Sequence, residues 1–489
     1  MKSFASAVAA SALLAASAAA WAQPFETPPP PAAPRPLAIA APVEQKLDNG
    51  MRVITARREG VPIVSALLVV LSGSEADPPK LSGLAELSTG LLTQGTKHHT
   101  APELAAAAEA LGGSLDSGAA WGQSTVAITV TTPKLDAALG LVAEVAREPT
   151  FAPEEIDRLR TQMLDGLKVS YANPSRVAAL AALHMAYGGS AWGHPAGGTP
   201  ASLPRIARAD LVALHAAAFR PDRAVLILSG DIDPASALAL ARAHFGTWKV
   251  PAHAAPAMPP VPATAPAGPA LAVIDMPSAG QAGVSLALPL PPRQGSDWAT
   301  GAVMNSVLGG GYSSHLNQEI RIKRGLSYGA DSGISARQSS ALFSASVQTR
   351  NESAVEVVGL LQAEIDRMMQ TPVGNDELAA RKAELIGGFS RSVETTAGLA
   401  SAIDALVATG RAPAELKTLI ATIEAVRAED VQRYAAAHLG AAGRRIAVAG
   451  VAAQFATGLK AIAPTLQMIG PDELDLDRAD GLKRDPVSK

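Results

Sequence analysis

Two stretches set the pattern of this chain. In STVAITVTT, residues 124–132, Val126, Ile128 and Val130 alternate with polar neighbours, the period of a strand with one buried face. Leu135, Leu139 and Val142 then recur three and four apart, which predicts a helix with one apolar side. The same succession returns in LFSASVQT, residues 342–349. There Phe343, Ala345 and Val347 point one way, and a helix carrying Val355, Val358, Leu361 and Ile365 follows.

The recurrence extends further. IARADLVALHAAAFRPDRAVLILSG (206–230) aligns without a gap on VRAEDVQRYAAAHLGAAGRRIAVAG (426–450), a constant offset of 220 that puts Asp210 on Asp430 and Gly230 on Gly450. Each copy reads as helix, short loop and a buried strand closed by glycine. Two copies of one long unit indicate a duplicated α+β domain; a solenoid needs shorter and more numerous repeats. TAPE, Thr100 to Glu103, has the form of a capping box opening a helix that Gly112-Gly113 would stop.

Composition changes the picture at the ends and in the middle. Lys2, an apolar run from Phe4 to Ala20 and the A-x-A triplet Ala20-Trp21-Ala22 predict a signal segment over 1–22, cleaved after Ala22. An uncleaved anchor is the alternative, but the alanine and serine content makes a poor span, so no stable membrane span is expected. A proline-rich leader occupies 23–42 and a Pro/Ala linker 252–269, leaving an N-terminal domain over 43–251 and a C-terminal domain over 270–470. The polar tail 471–489 is expected to be poorly ordered. With no cysteine, disulfides and thiolate metal sites are excluded, and an exported chain of this kind fits a periplasm. A net charge of −3 without a basic stripe argues against a nucleic-acid partner.

Chemistry is sparse. None of the nine histidines lies in H-E-x-x-H or H-x-x-E-H, and no G-x-S-x-G elbow is present. His98 and His99 are adjacent, and His194 sits in the Gly/Pro loop GHPAGGTP. The exception to the blandness is LGGGYSSHLNQEIRIKRGLSYG (308–329), which gathers a run of three glycines, two tyrosines and the cations Arg321, Lys323 and Arg324 around His315. The glycines Gly309, Gly310 and Gly311 could stop a helix or bring backbone N–H groups close to a bound chain.

LDNGMRVI (47–54), SGLAELSTGLLTQGT (82–96), GHPAGGTP (193–200), SGDID (229–233) and the 308–329 stretch, in this order, resemble the landmarks of the insulinase/pitrilysin-type zinc metallopeptidases over roughly 43–468. That resemblance implies two homologous α+β domains, each a mainly antiparallel sheet packed with helices, together one half of a clamshell. In active members the helix after GLA carries an inverted H-x-x-E-H, and a further glutamate completes the zinc site. Here those positions hold Glu86, Thr89, Gly90 and Gly166. Glycine has no ligand atom and threonine is a poor base, so this chain is expected to bind no metal.

The family's C-domain arginine and tyrosine, spaced R-x6-Y, fall on Arg321 and Tyr328. The resemblance implies that they hydrogen-bond a substrate carbonyl and stabilise the oxyanion, with Arg324 able to assist and the three glycines lining the substrate path. The strand around Thr125 to Thr131 corresponds to the edge on which substrate peptides align. The resulting expectation is a non-catalytic, substrate-binding subunit of a two-subunit periplasmic zinc peptidase, inactive alone, pairing as a heterodimer with a metal-bearing homologue that holds the zinc. The alternatives are a non-proteolytic peptide-binding or scaffold protein of the envelope, and a self-sufficient enzyme with a remodelled metal site.

Overall fold

The computed structural model describes residues 39, 41–255, 257–262, 265–293, 295, 297–478 and 481–483. The expected signal segment and most of the proline-rich leader lie outside them. In the first half, β1 (Val43–Lys46), β2 (Arg52–Arg57), β3 (Ile63–Val70), β4 (Asp116–Ala120), β5 (Gln123–Thr131) and β6 (Ala224–Gly230) form a sheet in the order β1-β2-β6-β3-β5-β4. The helices of this half are α1 (Leu84–Gly90), α2 (Ala101–Ala110), α3 (Leu135–Arg147), α4 (Pro153–Tyr171), α5 (Pro174–Tyr187), α6 (Arg208–Ala218) and α7 (Pro234–Phe245).

The second half repeats the plan. Strands β7 (Leu271–Asp275), β8 (Ala282–Leu290), β9 (Ser327–Ala336), β10 (Ala341–Thr349), β11 (Arg445–Gly450) and β12 (Gln467–Ile469) pair in the order β12-β7-β11-β8-β10-β9. Its helices are α8 (Asp297–Leu308), α9 (Ala354–Gln370), α10 (Asn375–Ser392), α11 (Thr396–Ala408), α12 (Leu419–Glu424), α13 (Ala428–His438) and α14 (Ala456–Ile462). In both sheets the strand that closes the repeat, β6 or β11, runs parallel to one neighbour and antiparallel to the other. The remaining pairs are antiparallel except β7–β12, so the fold is α+β with two equivalent, mainly antiparallel sheets.

The alternating positions point where their period requires. Val126, Ile128 and Val130 are buried against Leu135, Leu139 and Val142 of α3, and Phe343, Ala345 and Val347 against Val358, Leu361 and Ile365 of α9. The 220-residue offset has a local meaning too. Asp210 and Asp430 each accept the backbone N–H three residues earlier, at 2.8 and 3.0 Å, capping α6 and α13. Gly230 and Gly450 end their strands at φ +137° and +157°, where a Cβ would strike Ile63 O at 2.1 Å and Asn351 Oδ1 at 2.6 Å. Each glycine lets the closing strand bend into the strand beside it.

Each half also lends a helix to the other. α5 lies on the free face of the second sheet, packing Val177, Ala178 and Ala181 against Ala272, Ala287, Ala447 and Ala449. α11 lies on β3 and β6 of the first sheet. The contact is close because small residues face it. At Gly283 of β8 an added Cβ would sit 2.4 Å from the Ser175 backbone, and in the first sheet Ser65 Oγ lies 2.8 Å from Thr396 Oγ1. From α11, Asp404 reaches β5, where Gln123 Nε2 donates to it at 3.0 Å.

The hairpin turns meet across the same seam. Arg337, between β9 and β10, is 4% exposed and lies 4.7 Å from the ring centres of Trp121 and Tyr187 and 5.0 Å from that of Trp192. Trp121 stands in the β4–β5 turn, so a cation of one half is enclosed by aromatic faces of the other. Nearby Glu75, also buried, accepts the N–H groups of Gly73 and Gly122 at 2.9 and 2.6 Å.

The linker is pinned: Trp192 Nε1, Arg220 and Arg445 donate to the carbonyls of Pro259, His253 and Pro266. One expectation needs revision. The tail is docked as far as it is described, because its polar residues alternate with leucines. Leu476 and Leu482 are buried beside α5, while Asp477 accepts from Ser82 and Thr199 of the first half.

Two measurements follow from the seam. Gly283→Val forces a side chain into the α5 backbone and should cost about 1–3 kcal/mol in a urea melt, with Gly359→Ala, which meets no neighbour, as the mild control. Burial raises the Asp404 carboxyl to about 6, with the Gln123 bond acting the other way. A raised folded pKa stabilises fully below the unfolded value near 3.8 and loses that contribution as pH climbs to about 6. Wild type should therefore lose up to about 3 kcal/mol relative to Asp404→Asn between pH 4 and pH 7.

Candidate functional site

The 308–329 stretch folds into a helix end, a tight turn and a strand entry. α8 stops at Leu308, and the N–H groups of Gly309 and Gly310 both turn back to Asn305 O, at 2.9 and 2.8 Å. A Cβ on Gly309 would lie 2.4 Å from Ser332 Oγ, one on Gly310 2.7 Å from Ser306 Cα, and one on Gly311 2.8 Å from Glu384 Oε1. The glycines thus seat the helix end against β9 and α10. Gly309 and Gly310 direct no free N–H outward, because Asn305 takes both.

Asn317–Ile322 then forms a π-helical turn, and the chain reverses at Gly325. Gly325 N bonds Arg321 O, and Leu326 N bonds Ile320 O, both at 2.9 Å. This reversal carries Tyr328, the second residue of β9, back beside Arg321. The guanidinium carbon lies 4.7 Å from the Tyr328 ring centre and 4.9 Å from that of Tyr312. Tyr328 is 89% exposed and Tyr312 65%, on the outermost strand of the sheet and the loop beside it.

Charge divides the three cations. Lys323 and Arg324 both bond Glu319, and Arg324 Nε also lies 3.7 Å from Glu356. Those bonds, Lys323 first and then Arg324, hold the Glu319 carboxyl below its ordinary range. Arg324 is therefore turned away from Arg321 and spent on neutralising Glu319. Among the described residues Arg321 has no ion-pair partner and no side-chain hydrogen bond, so its donors are available between two exposed rings. His315 braces the turn from below, with Nε2 3.1 Å from Glu377 and Nδ1 3.6 Å from Glu364.

Tyr312 is the member that sequence reasoning missed. The available signal was its place directly after the glycine run, with Asn317 five residues on; Asn317 Nδ2 holds the Tyr312 carbonyl at 2.6 Å.

In the first half, the positions of the absent metal ligands have been put to other use. Thr89 is buried and its hydroxyl donates to Ser124 Oγ at 3.2 Å, which in turn donates to Ser72 O at 2.9 Å. A Cβ on Gly90 would stand 3.1 Å from Leu159 of α4, while one on Gly166 would meet nothing. Glu86 remains, exposed on α1, its pKa raised by partial desolvation from the neighbouring protein, with Arg176 acting the other way. One carboxylate, an engaged hydroxyl and two glycines do not fit zinc. Among the described residues no group of three or more His, Cys, Asp or Glu is arranged to hold a metal. The edge expected near Thr125 is internal from Gln123 to Ala127, because β4 pairs there; β4 is the outer strand.

Known proteins place the chain. The model for "Insulinase (Peptidase family M16)" matches residues 52–199 and that for "Peptidase M16 inactive domain" residues 205–385, together more than half of the chain. An uncharacterized zinc protease of Mycobacterium tuberculosis is 27% identical over 420 residues, 84% of this chain and 95% of that one. A non-peptidase homolog of Helicobacter pylori is 25% identical over 66% of this chain and 74% of its own. The crystal structure of a peptidase M16 inactive domain from Pseudomonas fluorescens superposes with a TM-score of 0.78 at 26% identity, covering 84% of this chain and 98% of that one.

The ligand positions generate a direct test. Purified alone and dialysed, the chain should carry substoichiometric zinc by plasma mass spectrometry. A full bound equivalent would mean that Glu86 has found partners.

Proposed function

The chain belongs to the insulinase family, peptidase family M16, and from that membership we propose that it acts as the non-catalytic, substrate-binding subunit of a two-subunit zinc metallopeptidase exported to the periplasm. The observation that carries this reading is the contrast between its halves. The metal positions hold Glu86, Thr89, Gly90 and Gly166, whereas Arg321 stands un-neutralised between the exposed rings of Tyr312 and Tyr328.

In this role the chain's own chemistry is donation. A peptide lying along the outer strand β9 would bring a backbone carbonyl to the Arg321 guanidinium and the Tyr328 hydroxyl. Both donate more strongly as that oxygen gains negative charge, which is how such groups lower a barrier. Tyr312, whose ring centre also lies 4.9 Å from the guanidinium carbon, helps to keep it in place, so less rotamer freedom is lost when substrate arrives. Zinc, held by the partner homologue, would supply the activated water. The exposed Tyr312, Ile322 and Tyr328 around one arginine have the composition of an interaction hot spot.

The test is reconstitution with a metal-bearing homologue and a peptide substrate. Arg321→Ala should lower kcat/KM by about 10²-fold or more, and Tyr328→Phe by about 10-fold or more, with subunit association unchanged by sedimentation. If the reconstituted pair cleaves equally well with both changes, the chain holds peptides or braces an assembly without taking part in the cut.

A further inference from the structure

A cavity of about 680 Å³ lies where the end of α5, the linker after the first half, β12 and the tail converge. That volume is in the range of small-molecule pockets, which favour such seams between domains. Met185, Leu466 and Leu482 give it apolar walls, and among the described residues no Asp or Glu lines it.

Two polar side chains in its wall are incompletely matched. His184 is 3% exposed, and its Nδ1 lies 3.0 Å from Gly193 O. A carbonyl only accepts, so Nδ1 carries the hydrogen and Nε2 presents a lone pair. Nε2 makes no hydrogen bond of normal geometry, although the Gly481 backbone stands close enough to it to act against the effect of burial on the ring. Burial lowers the pKa of this imidazole, which favours the neutral ring.

Arg445 on β11 is 7% exposed and donates to the carbonyls of Ala442, Arg444 and Pro266 at 3.1, 3.0 and 2.7 Å. These dipoles solvate its charge without cancelling it, and no carboxylate lies within ion-pair distance among the described residues. Buried charges are ordinarily paired. The cavity thus combines apolar walls, a cation with no ion-pair partner among the described residues and a ring nitrogen without a hydrogen bond of normal geometry.

We propose that this cavity binds a small apolar molecule bearing one carboxylic acid, whose charge faces Arg445 and whose proton is shared with His184 Nε2. The acid group answers both deficits at once. Because a free carboxylate at neutral pH has already lost its proton, binding takes up one proton from solvent, and affinity falls as pH rises. The same chemistry is offered by a fatty acid and by the free C-terminus of an apolar peptide. The site stands apart from Arg321 and does not depend on the pairing proposed above.

Isothermal titration of the full chain with decanoate and with N-acetyl-leucyl-phenylalanine separates the two sources, with methyl decanoate and the dipeptide amide as uncharged controls. One acid should bind in the micromolar range, and titrations in buffers of different ionisation enthalpy should show uptake of about one proton. His184→Asn keeps a donor for Gly193 O but deletes Nε2, and should weaken binding at least tenfold and abolish the uptake. Ala267→Trp, at the exposed mouth, should block binding while leaving the melting temperature of the unliganded chain unchanged. Binding of neither acid, equal binding of the uncharged controls, or wild-type binding and proton uptake by His184→Asn would each overturn the proposal.

Discussion

Everything in this molecule depends on two helices that cross over. α5 packs on the second sheet although it belongs to the first half, and α11 packs on the first sheet although it belongs to the second. A sheet with helices on one face leaves the other face exposed to water, and burying that face is what a second layer is for. Here each half supplies the missing layer of the other, so neither sheet is complete without both. The price in side-chain size is visible at Gly283 and along Ala447 and Ala449, where anything larger would push the helix off.

Given that exchange, the remaining contacts between the halves act as locks on a geometry already chosen. Arg337 inserts from the β9–β10 turn among Trp121, Tyr187 and Trp192, and Asp404 meets Gln123 beneath α11. The tail adds a third tie through Asp477 to Ser82 and Thr199. These polar and cation–π contacts are each worth far less than the buried faces. They select one relative placement of the sheets, and thereby hold β9, with Tyr328, at a rigid outer edge.

The candidate site shows how charge accounting separates residues that look alike in sequence. Arg321, Lys323 and Arg324 lie within four positions, yet two are consumed by Glu319 and one is left facing aromatic rings. In the first half the reverse has happened. The positions that would hold a metal have been absorbed into packing and a chain of hydroxyls from Thr89 through Ser124 to Ser72. A hydroxyl already donating within a buried chain is a poor ligand, and a helix that accepts Leu159 against Gly90 has no need of an ion to hold it.

How much could be read beforehand follows from the range of the interactions. The alternation in β5 and β10, the caps at Asp210 and Asp430, the glycines at 230 and 450 and the duplication itself are local patterns, and the sequence alone determined them. It also placed Glu86, Thr89, Gly90 and Gly166 where the resemblance expects metal ligands, and Arg321 and Tyr328 seven residues apart, since residue identity is enough for both. Tertiary structure alone decided the helix exchange, because an alanine-rich face does not name the sheet it will cover. It decided too that the N–H groups of Gly309 and Gly310 turn back into their own helix, that β4 covers β5, that the tail docks through alternate leucines, and that Tyr312 lies beside Arg321. Those outcomes depend on partners far away in the chain, whose distances no local period encodes.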